Sequence, residues 1–430
     1  MVEVELSVGA PAVSAWSASG LRYDRARSLV RLHGCSLGVV DLDLPRGGLS
    51  AEEHARAIEE QLGRSVRQHL VDDNVATAAP THDARTGSND GAATRSGARC
   101  LAERRAFLAR APCASVVVAT RNRSETLSRC LDSLLALDYP DYELVVVDNA
   151  PATTATERLI AARYARVVRY VREERPGLAN AHNRGLAAAR GKIVAFADDD
   201  VVADPGWLHE LAMAFEWATD VRCVTGMILA AELETPAQVW SEARWGFGKG
   251  FTPHVFRLSD RHRLGSLFPY AAGRFGSGAN MAFLTEVLHE LGGFDRALGT
   301  GTPARGGDDL AAFFSVVAAG YALAYTPRAI VRHWHHRDYA ALRRQAYGYG
   351  AGLTAYLTKT VVDDPRRVLD LVAGTPAGLA HLLSPRSPKN AATVPGYPGE
   401  LRWSEILGMF GGPARYLKVR RRLQPRSRCS

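Results

Sequence analysis

From Ala114 onward the chain alternates short apolar runs with segments of helical character, and this alternation limits it to few architectures. The runs Val116-Val117-Val118 and Leu144-Val145-Val146-Val147 are continuously apolar, as expected for strands covered on both faces. Val167-Val168-Arg169-Tyr170-Val171 and Ile193-Val194-Ala195-Phe196 follow, with predicted helices over 124–135, 154–164 and 178–190 in between. Strand–helix–strand units joined by right-handed crossovers give an α/β fold with a mostly parallel central sheet. In such sheets ligands bind beyond the carboxyl ends of the strands.

The polar residues of interest follow the strands in that way. The first strand runs into Thr120-Arg121-Asn122-Arg123, the second into Asp148-Asn149, the fourth into Asp198-Asp199-Asp200. Three successive acids after an apolar strand repel one another unless a cation sits among them. Hard divalent ions take carboxylate oxygens and share substrate phosphates. Asp204 before Pro205 is accounted for as a helix cap; the three acids upstream are not. Farther on, Asp308-Asp309 follow Gly306-Gly307 and precede an apolar helical segment, a position where acids stabilise a helix start and a carboxylate is held rigidly enough to act as a base. His333 follows a predicted strand in Ile330-Val331-Arg332-His333-Trp334-His335-His336. It is a candidate to complete a metal shell or meet a diphosphate, and His335 is a weaker one. The stretch Tyr339 to Tyr356, with Arg343 and Arg344, reads as a helix closing over the site.

With these motifs in order, the segment Ala114 to about Gly352 resembles a family 2 glycosyltransferase of the inverting type with the GT-A fold. The matching elements also include Pro176-Gly177-Leu178 leading to Asn183-Arg184-Gly185, Gly276-Ser277-Gly278-Ala279-Asn280-Met281, Gly292-Gly293-Phe294-Asp295 and Gly306-Gly307-Asp308-Asp309-Leu310. The resemblance implies that Thr120, Arg121, Asn122, Asp148, Asn183, Asp198 and Asp199 hold the nucleotide. Asp198 to Asp200 match the family's Asp-x-Asp motif, so Asp200, with Asp198 and His333, would bind Mn²⁺ or Mg²⁺. Asp308, Gly278, Ala279 and Asn280 would border the donor sugar and the acceptor, and Asp309 would be the catalytic base. Two positions depart from the family pattern: Asp308 stands where Glu is usual, and His182 where Arg is frequent. The partners implied are a nucleotide-diphosphate sugar donor and an acceptor hydroxyl on a saccharide, a lipid-linked molecule or a small molecule. Two alternatives remain open. A nucleotidyltransferase acting on a sugar phosphate would release pyrophosphate, and an inactive relative would serve as a scaffold.

The rest of the chain sets the domain plan. Residues 1–75 predict a small α+β domain, with short strands over 30–33 and 39–44, a turn at Gly47-Gly48 and a helix started by Ser50 with Glu52 and Glu53. Residues 76–106 are poor in large apolar side chains and read as a flexible linker. Residues 107–352 form the catalytic domain, and 353–430 a helical C-terminal extension with a basic tail. That tail holds Arg415, Lys418, Arg420, Arg421, Arg422, Arg426 and Arg428, with no acid among them, and suits peripheral contact with an anionic membrane. The net charge of +8 is modest, and its basic residues lack interleaved aromatics, which argues against a nucleic-acid partner. The six cysteines show no paired metal-ligand spacing. With no apolar run long enough to span a bilayer and no basic-then-apolar leader, a cytoplasmic location is expected, peripheral at most to the inner face of the membrane.

Overall fold

The computed structural model describes residues 1–17, 20–74, 98–384, 386–391, 394 and 396–424. The chain divides into two compact units, Met1–Ala111 and Pro112–Ser430.

In the first unit, β1 (Val2–Glu5) pairs parallel with β2 (Arg25–Leu32), which pairs antiparallel with β3 (Cys35–Asp43). The helix Ala51–Asp72 follows. Ser50 accepts a hydrogen bond from the Glu53 amide while the Glu53 side chain bonds the Ser50 amide, a reciprocal cap that satisfies two otherwise orphaned donors. The linker expected over 76–106 is shorter than that at its C-terminal side. Arg99–Leu108 is a helix, and it belongs to this first unit. Residues 75–97 lie outside the described residues.

The second unit is built on a nine-stranded sheet ordered β10-β12-β9-β11-β7-β4-β5-β6, with β8 against β12. Its central strands are β4 (Ala114–Thr120), β5 (Tyr142–Asn149), β6 (Val168–Glu173) and β7 (Ile193–Asp198), mutually parallel as the alternation requires. The sheet continues through β8 (Val201–Ala203), β9 (Val221–Ala230), β10 (His254–Phe256), β11 (Asn280–Leu284) and β12 (Ala322–His333). β11 runs antiparallel between β7 and β9, whereas β9 and β12 are parallel to each other. Helices Ser124–Leu134 and Leu178–Ala188 lie where strand–helix alternation puts them. The predicted 154–164 helix is α-helical over Ala155–Leu159 and widens to a π-turn over Ile160–Tyr164.

Beneath the sheet, the aromatic rings of Phe196, Phe283, Phe294 and Phe313 form a buried cluster with Val117 and Val145. Phe196 and Phe294 meet edge to face at 5.2 Å, which adds directional attraction to the burial of apolar area. The C-terminal part is helical, but the boundary expected at 352/353 falls inside one continuous helix, Tyr339–Asp363. That helix packs against Gly399–Leu423, and glycines make the approach possible. A Cβ on Gly408 would lie 2.1 Å from the Tyr347 carbonyl oxygen, and one on Gly350 would lie 1.8 Å from that of Glu405. The basic tail is helical as far as Leu423; Arg426 and Arg428 are outside the described residues.

Candidate active site

Strand register assembles the acids. Thr120 pairs with Asp148 across β4 and β5, and Ala119 with Asp198 across β4 and β7, so the three carboxyl ends converge. β8 turns back against β12 with His333 opposite Val201, which sets the imidazole beside Asp200. His333 Nε2 lies 3.3 Å from Asp200 Oδ1. The candidate ligand atoms of Asp198, Asp200 and His333 all fall within 4.8 Å of one another. Arg123, not singled out in sequence, spans the cluster: one guanidinium nitrogen donates to Asp199 Oδ1 and the other to Asp200 Oδ2, both at 2.8 Å. Its place in the motif Thr120-Arg121-Asn122-Arg123 is the signal in the sequence; the pairing itself spans 76 residues.

Each group's charge follows from its surroundings. Burial pushes the Asp198 carboxyl up to about 6, with the Asp200 charge adding to the effect. Burial likewise takes Asp199 to about 7 against the pull of Arg123. Asp200 is buried too, yet His333 and Arg123 together hold it well below the usual carboxylate range. Burial opposes charge on His333, but Asp200 and Asp198 outweigh it and raise the imidazole.

Do these residues fit a divalent cation? His333 Nδ1 is a buried polar atom without a hydrogen-bond partner among the described residues, and Asp200 Oδ1 meets only the His333 imidazole, at 3.3 Å and without hydrogen-bond geometry. An unpaired buried acceptor costs about 1–3 kcal/mol, so something beyond the chain is expected to satisfy it. Two carboxylates and an imidazole suit Mn²⁺ or Mg²⁺. Asp199 is differently placed. Thr120 Oγ1 donates to its Oδ2 at 2.7 Å and Arg123 takes the other oxygen, so Asp199 braces its neighbours and has little left for a nucleotide.

The remaining predicted nucleotide residues separate into two groups. Asp148 is buried at the strand end; Tyr170 donates to its Oδ2 at 3.0 Å, its Oδ1 has no partner, and burial raises its carboxyl. Arg121, which follows the β4 residue paired with Asp148, is exposed. Asn122, in the left-handed region at φ 56°, accepts from the Ala152 amide and shapes the turn. Asn183 does not face a ligand. Its amide donates to the Phe294 carbonyl at 2.7 Å and accepts from the Phe294 N–H at 2.8 Å, so both halves are spent on tying that loop down. Asn280 is likewise structural, because it takes the Trp207 indole N–H and donates to the Met227 and Ala329 carbonyls in full burial. Both residues read as site contacts in sequence because they stand inside motifs whose neighbours do face the cleft.

That cleft encloses about 1400 Å³ and is lined by Asp198, His182, Gly278, Ala279, Asp308, Asp309 and His333 among others. Gly307, at φ 85°, leads into the helix Asp308–Ala318; a Cβ there would meet the Gly352 carbonyl oxygen at 2.4 Å. Asp309 Oδ2 accepts from the Gly278 N–H at 2.9 Å and Oδ1 from the Leu310 N–H at 2.8 Å. A Cβ on Gly278 would sit 3.1 Å from that of Asp309, so glycine is what lets the loop reach the carboxylate. Burial, then the charge of Asp308, lifts Asp309 to about 6 despite the two main-chain donors. Asp308 is buried 3.5 Å from His182 Nδ1, and neither facing atom has another partner. Tyr349, from the helix Tyr339–Asp363, also lines the cleft; burial and the nearby acids push its hydroxyl up. His335 faces away to Glu242 at 3.0 Å and takes no part in the acid cluster.

The fold and this pocket define an α/β domain whose acids converge at the carboxyl ends of its central parallel strands. The model of the glycosyl transferase family 2 matches residues 115–292, and this segment is a family 2 glycosyltransferase domain. The GT-A fold expected of it accords with that match. Among similar proteins, the pre-mycofactocin glycosyltransferase of Mycobacterium tuberculosis is 26% identical over 272 residues, 63% of this chain and 52% of that protein. The glucosyl-dolichyl phosphate glucuronosyltransferase of Haloferax volcanii is 27% identical over 192 residues, 43% of this chain and 56% of that protein. The chain thus spans about half the length of the curated relatives it matches. A solved mannosyltransferase from Pyrobaculum calidifontis, in complex with GDP-Man and Mn²⁺, aligns with 72% of this chain and 88% of its own, at 20% identity and a TM-score of 0.46.

Proposed function

We propose that the protein is an inverting glycosyltransferase that moves a sugar from a nucleotide-diphosphate donor to an acceptor hydroxyl. The observation that carries this reading is one cleft with an acidic cation-binding cluster at one side and a buried, main-chain-held carboxylate, Asp309, at the other. Asp198, Asp200 and His333 would hold Mn²⁺ or Mg²⁺, which supplies positive charge to the leaving diphosphate. Asp148 and Arg121 border the place for the base, and Arg123 orients the acids. Asp309 takes the proton from the acceptor hydroxyl as it attacks the anomeric carbon from the face opposite the leaving group, so configuration inverts. A carboxyl raised to about 6 is ionised at neutral pH yet basic enough to accept that proton. The two main-chain donors fix its position and leave lone pairs free, since a carboxylate has about four. Residues 1–75 carry no counterpart of this chemistry, and we assign them to acceptor or partner recognition.

Asp200→Ala tests the cation reading. Donor binding measured calorimetrically should lose its Mn²⁺ dependence, whereas unchanged dependence overturns the assignment.

A second reading concerns location. No helix among the described residues is long and apolar enough to cross a membrane. The helix Arg367–Leu383 nonetheless exposes Leu369 and Val372, and the helix Gly399–Leu423 exposes Trp403, Leu407 and Phe410, the last at 80%, together with Lys418, Arg421 and Arg422 farther along the same helix. Apolar and basic side chains exposed on one helix suit an anionic bilayer surface, and a lipid-linked acceptor would be met there. The full chain should float with vesicles containing phosphatidylglycerol and much less with neutral ones; equal behaviour would remove this reading.

A further inference from the structure

Outside the cleft, the first unit holds a second convergence of metal-ligating side chains. We propose that His33, His69, Asp73 and Cys100 bind a structural zinc ion. One atom from each lies within 4.8 Å of all the others. His33 Nδ1 is 2.8 Å from Asp73 Oδ2, His69 Nε2 is 3.2 Å from the same oxygen, and Cys100 Sγ is 3.0 Å from it and 3.9 Å from His69 Nε2. With zinc–nitrogen and zinc–oxygen bonds near 2.0–2.2 Å and zinc–sulfur near 2.3 Å, the edges of a tetrahedral site are about 3.3–3.7 Å. Three of the given separations are shorter than those edges and one is longer, and no pair exceeds 4.8 Å, so the four atoms surround one position into which they can settle around an ion.

The chemistry of the set points to zinc rather than to the Mn²⁺ or Mg²⁺ of the cleft, because thiolate and imidazole are borderline-soft ligands. The charge also closes. One thiolate and one carboxylate neutralise the ion, and two neutral imidazoles complete the shell, so a buried site carries no net charge. On binding, the Cys100 S–H bond breaks heterolytically, the sulfur keeps the electron pair and the proton leaves to solvent. All four ligands come from the chain, the pattern of a closed structural site with no position for substrate.

The scaffold orients the ligands. His33 sits in the tight turn between β2 and β3 at φ 56°, a backbone conformation uncommon outside glycine. Glu5 holds that turn by accepting from the amides of His33 and Gly34 at 3.0 and 2.9 Å. His69 and Asp73 are four residues apart at the end of the helix Ala51–Asp72, hence on one face. The Asp73 oxygen not facing the cluster accepts from the Cys100 amide at 2.9 Å, an outer contact that fixes a ligating carboxylate. Asp73 and Cys100 flank residues 75–97, so the ion would clip both ends of that segment to the turn between β2 and β3. Closing a long chain segment in this way restricts the unfolded state most.

The test uses the full chain, produced with zinc in the medium and dialysed against EDTA-free buffer, with metal read by inductively coupled plasma mass spectrometry. Wild type and Asp200→Ala should each hold about one zinc per chain, as expected for a four-ligand closed site, while Cys100→Ala and His69→Ala should hold nearly none. A hydrogen-bonded network without metal predicts no zinc in any of them. Because a ligand variant can misfold, the unsubstituted chain is also stripped of metal and titrated with Co²⁺. Tetrahedral d–d bands together with a thiolate-to-cobalt charge-transfer band support the site. Absence of the thiolate band, or zinc retained in Cys100→Ala, overturns it.

Discussion

Asp309 shows how a short-range environment sets a functional property. Its carboxyl is raised to about 6 by burial and by Asp308, while the Gly278 and Leu310 amides pull the other way. Because the proton-accepting form is the deprotonated one, kcat/KM should rise with pH up to about 6 and level off above it. Below that value it should fall by at least about tenfold per pH unit, because Asp198, raised to about 6 as well, loses its charge over the same range. A profile flat from pH 5 to 8 would remove Asp309 from that role. The acids were legible in sequence because charge beside an apolar run is anomalous. His333 was legible as a candidate beside them, but the pairings of Arg123 with Asp199 and Asp200 and of His182 with Asp308 were not, since these residues meet across the fold and sequence offers no measure of such distances. Asn183 and Asn280 show the converse error: a polar residue inside a functional motif can spend all its hydrogen bonds on the main chain.

At the scale of elements, the central strands and crossover helices were readable because continuous apolar runs and helical periodicity are local signals. The strands β8, β10 and β11 were not, since their short segments gain identity only by pairing with β7, β9 and β12. The helix Tyr339–Asp363 carries Arg344 and Tyr349 to the cleft and is held by its glycine-mediated contact with Gly399–Leu423. Gly408→Leu forces side-chain atoms against the Tyr347 carbonyl. It should cost about 1–3 kcal/mol by overpacking and lower both Tm and turnover. Gly399→Ala, where a Cβ meets nothing within 4 Å, should leave both unchanged. Equal thermal shifts for the two variants would show that the helix pair does not depend on this close approach.

For the whole molecule, composition and alternation located a catalytic segment and a separate N-terminal unit, but the latter's boundary required the structure. Arg99–Leu108 lacks a side-chain cap and a strong apolar face, so its helix was invisible in a sequence read as linker. The four ligand candidates of the first unit escaped for a related reason: His33, His69, Asp73 and Cys100 have no compact motif spacing and meet only through the turn, the helix end and the return of the chain. The central claim is sugar transfer from a nucleotide diphosphate with Asp309 as base, and analysis of the released nucleotide tests it most directly. A panel of nucleotide-diphosphate sugars is incubated with Mn²⁺ and wild type, Asp309→Asn or Asp308→Asn, and products are resolved by ion-exchange chromatography. Asn keeps one of the two main-chain hydrogen bonds at position 309, so a stability loss of about 1–3 kcal/mol is expected and Tm is measured alongside. The account predicts nucleoside diphosphate as product, a loss of at least about 100-fold in Asp309→Asn that remains folded and binds donor, and a smaller loss in Asp308→Asn. Pyrophosphate as product, or near-normal turnover in folded Asp309→Asn, would contradict it.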